Sequence, residues 1–130
     1  MTQLFHLSLV VPDLNRVRAF YVDVLGCRVG REMGSWLDIL FFGHQLTIHQ
    51  ANERKPAVAV DHFGPVLEKA AWLRIAENCR KNSIEFITPP QTNGEGAKSE
   101  SGKFVISDPA GNRLEFKYYE DIGGTIGNRS

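Results

Sequence analysis

Residues 4–11 alternate loosely between apolar and polar and are rich in Leu and Val, the pattern of a strand. Pro12 and Asp13 end that run, and Asp13 is well placed as a helix N-cap. Leu14, Val17, Phe20, Tyr21, Val24 and Leu25 then recur at spacings of three and four. They form one apolar face of a predicted helix, with Gly26 as its stop. Three short strands are expected next, at 27–32, 36–42 and 45–50, with a tight turn at Gly43 and His44 between the last two.

Residues 51–57 are charged and polar, contain Pro56 and read as a linker. After them the order restarts. Residues 60–67 are expected to be a second opening strand, although Gly64 and Pro65 weaken its propensity. Trp72, Ile75, Ala76 and Cys79 mark a second amphipathic helix ending near Asn82. Strands are expected at 84–87, 103–107 and 113–119, the last two joined by the turn sequence Asp108-Pro109-Ala110-Gly111-Asn112. Between the first two of these, residues 88–102 read as a long loop of Pro, Thr, Asn, Gly and Ser, of a length that is often functional.

The repeated order of strand, helix and three strands predicts an α+β fold of two βαβββ modules that form a half-open barrel. Module one is expected at 1–50, the linker at 51–57, module two at 58–119 and a flexible tail at 120–130. A chain of 130 residues, 42% hydrophobic and 23% charged, suits one domain with a core of its own. Its 15 basic and 15 acidic residues cancel, which offers no broad attraction for nucleic acid or an anionic membrane. The apolar run at 7–11 is too short to span a bilayer and has no basic leader or small-residue cleavage site. Cys27 and Cys79 have neither metal-site spacing nor a dense disulfide framework, and are expected to be reduced thiols of a cytoplasmic protein.

Alternation along strands puts His6 on one face with Ser8 and Val10, and His62 with Gly64 and Val66. In the last strand Arg113, Glu115 and Lys117 share a face, which must be solvated or line a polar pocket, because unpaired buried charge is costly. Taken singly, a strand histidine is more often structural than a ligand. Two histidines at equivalent places in a repeat, with a late carboxylate, point instead to a 2-His-1-carboxylate metal site with open coordination positions.

The opening phrase FHLSLVVPDLNRVRAFYVDVLGC and the closing phrase FVISDPAGNRLEFKYY resemble those of the vicinal oxygen chelate superfamily. That superfamily includes glyoxalases, fosfomycin-resistance enzymes, extradiol dioxygenases and bleomycin-binding proteins. The resemblance covers nearly the whole chain and implies a glyoxalase-like fold. It implies that His6, His62 and Glu115 are metal ligands, and that Gln45 matches the fourth ligand used by glyoxalases and methylmalonyl-CoA epimerases. Thr47 and His49 share the face of Gln45, so a shift of two residues would present a different side chain.

The resemblance further implies one divalent metal (Mn, Fe, Co, Ni or Zn) that takes neighbouring oxygens of a small-molecule substrate and stabilises an anion as it forms. Glu115 would act as ligand, or as catalytic base if Gln45 completes the shell. The implied activity is an isomerase, lyase or thiol transferase acting on a small oxygenated metabolite or antibiotic. The alternatives are a small-molecule-sequestering protein of the bleomycin-resistance type, or a dioxygenase. Extradiol dioxygenases carry a His and a Tyr before their DPxG ending; residues 103–108 contain neither, and no His follows His62, which disfavours ring cleavage. No match is found to the potassium loop or phosphonate-binding cluster of fosfomycin-resistance enzymes. Family members of this length imply a homodimer, with residues 88–102 placed beside the metal mouth.

Overall fold

The first repeat forms much as its pattern predicts. The computed structural model describes residues 5–127; the expected strand start at Leu4 and residues 128–130 of the tail lie outside them. The chain divides into two compact units, one of Met1–Asp61 with Asp108–Asn112 and one of His62–Ser107 with Arg113–Ser130.

In the first unit, strand β1 (His6–Val11) leads to helix α1 (Leu14–Ala19), whose N-cap Asp13 accepts a hydrogen bond from the Arg16 N–H at 3.2 Å. The helix continues through Phe20–Val24 as a wider π turn, in which the Leu25 N–H reaches the Phe20 carbonyl at 3.3 Å. Strands β2 (Arg28–Glu32), β3 (Trp36–Phe41) and β4 (His44–Gln50) complete a sheet of order β1-β4-β3-β2, with β1 parallel to β4 and the other pairs antiparallel. The β3–β4 turn lies one residue earlier than expected, at Phe42 and Gly43. Both have positive φ, 50° and 84°, as a two-residue hairpin matched to the strand twist requires. Glycine adopts that conformation without strain, whereas Phe42 is held there with its ring against Phe41, centroids 4.8 Å apart. One sheet face supplies the core: Leu9, Val11, Leu37, Ile39, Leu46 and Ile48 are buried, as are Leu14, Val17 and Tyr21 of the helix.

The turn at 108–112, although late in the sequence, belongs to this unit. Buried Asp108 accepts the Ala110 and Asn112 N–H groups through Oδ1, both at 2.9 Å, and the Asn112 amide through Oδ2 at 3.0 Å. The same Oδ2 accepts the Tyr21 hydroxyl at 2.9 Å. Asn112 in turn accepts the Val60 N–H at 2.9 Å. The two characteristic phrases of the sequence are therefore joined by a buried hydrogen bond.

The second unit is a second βαβββ module with weaker strand chemistry. Of the expected opening strand only β5 (Val66–Leu67) pairs continuously, parallel to β8 (Arg113–Tyr119); Phe63 adds an isolated parallel bridge to Leu114. Helix α2 (Lys69–Lys81) buries Trp72, Ile75, Ala76 and Cys79, the stripe read from the sequence. The Trp72 indole donates to the Phe116 carbonyl at 2.9 Å, fixing the helix on the sheet.

The expected strand at 84–87 and loop at 88–102 are corrected. Residues 84–86 do not pair, although Phe86 packs edge-on against Phe104. The strand is β6 (Thr88–Asn93), antiparallel to β7 (Ser101–Ser107). Pro89 and Pro90 are tolerated because they fall in the irregularity of the β6–β7 register between Thr88 and Gln91, on the edge strand of the order β5-β8-β7-β6. In the expected tail, Asp121 caps a short helix α3 (Ile122–Ile126).

Residues 94–100, the remainder of the expected loop, are tied down by buried Glu100. Its carboxylate accepts the Lys69 ammonium at 2.8 Å, the Gly96 N–H at 2.9 Å and the Tyr118 hydroxyl at 2.7 Å. These bonds, Lys69 foremost, lower the Glu100 pKa from 4.5 to about 2. A depressed carboxyl contributes stability that is fully present above its unfolded value and is lost as pH falls through the folded one. Between pH 5 and pH 2 the melting temperature of Glu100→Gln is therefore expected to fall less than that of the parent; parallel slopes would show that the clamp adds no stability.

Cys27 and Cys79 are free and buried, and burial raises both thiol pKa values to about 11, which leaves no reactive thiolate near neutral pH. Among the described residues no helix is long and apolar enough to cross a membrane.

Candidate metal centre

Each unit carries two of the four candidate ligands. In the first unit β1 and β4 run parallel with His6 opposite Gln45, and paired residues share a face. That face, away from the apolar core, also carries Ser8 and Val10 from β1, Thr47 and His49 from β4, and Trp36, Asp38 and Leu40 from β3. His6 is exposed and Gln45 half-buried.

Beside Gln45 lies a carboxylate that sequence reasoning did not single out. Asp38 is 6% exposed, and accepts the Thr47 hydroxyl at 2.7 Å and the Arg31 Nε–H at 2.6 Å. Burial works against its charge, but hydrogen bonds from Arg31, Thr47 and the Gln45 amide outweigh burial and hold its pKa below the ordinary value. Arg31 lies over the Trp36 ring at 4.8 Å, and Trp36 approaches His49 with ring centroids 6.3 Å apart. Burial, with the Lys55 charge, lowers the His49 pKa. His44 accepts the Phe5 N–H at 2.9 Å and so serves the strand edge. The signal for Asp38 was its alternation with apolar Leu37 and Ile39, but only the strand register shows that it meets Thr47.

In the second unit, the Phe63 N–H donates to the Arg113 carbonyl at 3.1 Å and the Glu115 N–H to the Phe63 carbonyl at 2.9 Å. Phe63 pairs with Leu114 on the core side, so alternation turns its neighbour His62 onto the face that carries Glu115. Gly64 fits there because it lacks a side chain: a Cβ built on it falls on the Glu115 carbonyl. His62 is exposed, and the Glu115 side chain is 19% exposed with Oε1 at 3.2 Å from the Lys117 ammonium. Lys117 is held in its charged form by the Tyr119 hydroxyl first and by Glu115 second, both of which raise its pKa.

The donor set, two imidazoles, one carboxylate and one amide oxygen, suits a divalent first-row metal. His6 and Gln45 are direct strand partners, whereas Gly64 rather than His62 stands at the register of Glu115. Among the described residues, no three His, Cys, Asp or Glu side chains gather into a group that could hold a metal.

The fold has clear relatives. Residues 3–116 match the model of the Glyoxalase/Bleomycin resistance protein/Dioxygenase superfamily, and the chain belongs to that family. It is similar to a glyoxalase/bleomycin resistance protein/dioxygenase from Alicyclobacillus acidocaldarius, 32% identical, with 90% of this chain and 91% of that chain covered and a TM-score of 0.75. A lactoylglutathione lyase from Agrobacterium tumefaciens shares the fold at 22% identity, covering 95% of this chain and 98% of its own, TM-score 0.73. So does a genomically encoded fosfomycin resistance protein from Listeria monocytogenes, at 18% identity, 91% and 93% coverage, TM-score 0.66. No curated protein sequence matches significantly.

Proposed function

We propose that this protein is a metal-dependent enzyme of the glyoxalase type, an isomerase, lyase or thiol transferase acting on a small oxygenated metabolite or antibiotic. The observation that supports this reading is the pairing of His6 with Gln45 across β1 and β4, with His62 and Glu115 on adjoining segments of the second unit. A divalent ion (Mn, Fe, Co, Ni or Zn) bound by His6, His62 and Glu115 would polarise neighbouring substrate oxygens and stabilise negative charge as it develops. Gln45 is the fourth candidate. Its side-chain carbonyl oxygen would be the donor to such an ion. If Gln45 completes the shell, Glu115 would be free to take a proton from the substrate.

Each unit supplies only half of the donors, so the proposal includes a homodimer in which the site is completed by pairing of modules within one chain or between two. The protein purified without added metal is expected to hold about one divalent ion per chain by elemental mass spectrometry. His6→Ala, His62→Ala and Glu115→Ala should each remove most of it without unfolding the chain; three variants with parental metal content would overturn the assignment. Gln45→Ala should weaken retention less. A parent without metal that still binds small molecules would favour the sequestering alternative. Mixing His6→Ala with Glu115→Ala chains separates the two pairings: shared sites restore about one ion per dimer, and sites within one chain restore none.

A further inference from the structure

The second unit holds a basic pocket that the metal reading leaves unused. Lys103 on β7 and Lys117 on β8 are direct cross-strand partners. Like charges in that relation repel and destabilise the pair of strands. Lys117 has Glu115 and the Tyr119 hydroxyl as partners, at 3.2 and 3.3 Å. Lys103 is exposed, and its side chain has no ion pair or hydrogen bond among the described residues. The two lysines line a cavity of about 180 Å³ with Asn93, Ser101, Gly102 and Tyr119. The register explains the grouping: Asn93 pairs with Ser101 and Ser101 with Tyr119, so three adjacent strands present their polar groups at one place. Two ammonium groups, two hydroxyls and an amide against a single neighbouring carboxylate form a donor-rich hollow.

We propose that Lys103 and Lys117 form an oxyanion subsite, which takes a carboxylate or phosphate group of the substrate. The proposal rests on the functional reading above for the role of Glu115. Lys117 follows Glu115 by two residues on the same face, and its ammonium lies 3.2 Å from Glu115 Oε1. The substrate class is therefore a small molecule whose anionic group adjoins the part held at Glu115. Lysine suits this task as a mobile point charge, and the hydroxyls and amide supply direction.

The test is a titration of the isotope-labelled full-length protein with inorganic phosphate, and separately with acetate, at constant ionic strength, followed by amide NMR. Phosphate is expected to give saturable shifts centred on Asn93, Ser101, Lys103 and Tyr119. Lys103→Gln and Lys117→Gln should each weaken binding at least tenfold, whereas Lys98→Gln, which alters an exposed ion pair with Asp121, should leave it unchanged. Tighter binding of phosphate than of acetate assigns the pocket to dianions, and the reverse assigns it to carboxylates. Shifts that fail to saturate with either ion, or equal affinities in the parent and both pocket variants, overturn the proposal. Lys103→Gln should also keep the parental metal content, since Lys103 is no ligand candidate. Phosphate binding by a parent that holds no metal would sink the metalloenzyme reading while leaving the subsite intact.

Discussion

Asp108→Ala is expected to lower the free energy of unfolding by about 3 kcal/mol or more in urea denaturation, through the two buried side-chain donors that it strands. Asp108 accepts from Tyr21, from the Asn112 amide and from two backbone N–H groups within its own turn. Tyr21 is fully buried, and burial, reinforced by the Asp108 carboxyl, raises its pKa so far that it remains a donor throughout the accessible range. Without its acceptor, that hydroxyl lies in an apolar setting beside Phe20 and Phe41. A buried donor without a partner costs about 1–3 kcal/mol, and the Asn112 amide adds a second cost of that kind. Tyr21→Phe removes donor and cost together, so it is expected to destabilise by only about 1 kcal/mol. Introduced into Asp108→Ala, it should recover about 1–3 kcal/mol by removing the stranded hydroxyl. Loss of less than half a kcal/mol in Asp108→Ala would show that the turn is held by other contacts.

The second large effect is expected at Gly64. Its backbone lies against the Glu115 carbonyl, and hydrogen bonds fix it on either side: Glu115 N–H to Phe63 at 2.9 Å and Lys117 N–H to Pro65 at 3.2 Å. A side chain here meets backbone atoms, which cannot swing away as a flexible side chain would. The segment must lift from β8 and give up one or both bonds. Gly64→Val is therefore expected to cost about 3 kcal/mol of stability, from overpacking with lost hydrogen bonds. Under the proposed function it should also separate His62 from Glu115 and reduce metal retention. Stability within 1 kcal/mol of the parent would mean that the approach relaxes at little cost.

The elements legible in the sequence were those whose side chains alone determine their periodicity. Helix α2 shows Trp72, Ile75, Ala76 and Cys79 on one stripe, and β8 alternates buried Leu114, Phe116 and Tyr118 with half-buried or exposed Arg113, Glu115 and Lys117. Strand β6 was illegible because an edge strand needs fewer donors and no apolar alternation, so Thr-Pro-Pro-Gln-Thr-Asn passes for loop. The pairing at 84–87 was misjudged for the opposite reason: Ile84 and Phe86 are apolar and half-buried, yet they pack without a ladder. The candidate ligands could be named from the repeat and from the phrases around them. Their neighbours could not, because Asp38 with Thr47 and Lys103 with Lys117 are cross-strand relations that exist only once register is fixed.

The Tyr21 to Asp108 hydrogen bond spans 87 residues of sequence, and this separation bears on how the chain is made. As the protein is synthesised, the first sheet and its helix emerge well before the turn that completes their hydrogen bonding. Until the ribosome has passed Asn112, the Tyr21 hydroxyl has to stay wet or lie buried without its acceptor. Closing so long a loop is slow relative to local helix and hairpin formation. The nascent first unit thus waits on the last part of the chain, and a translational pause before that turn would prolong the exposure of its unfinished core.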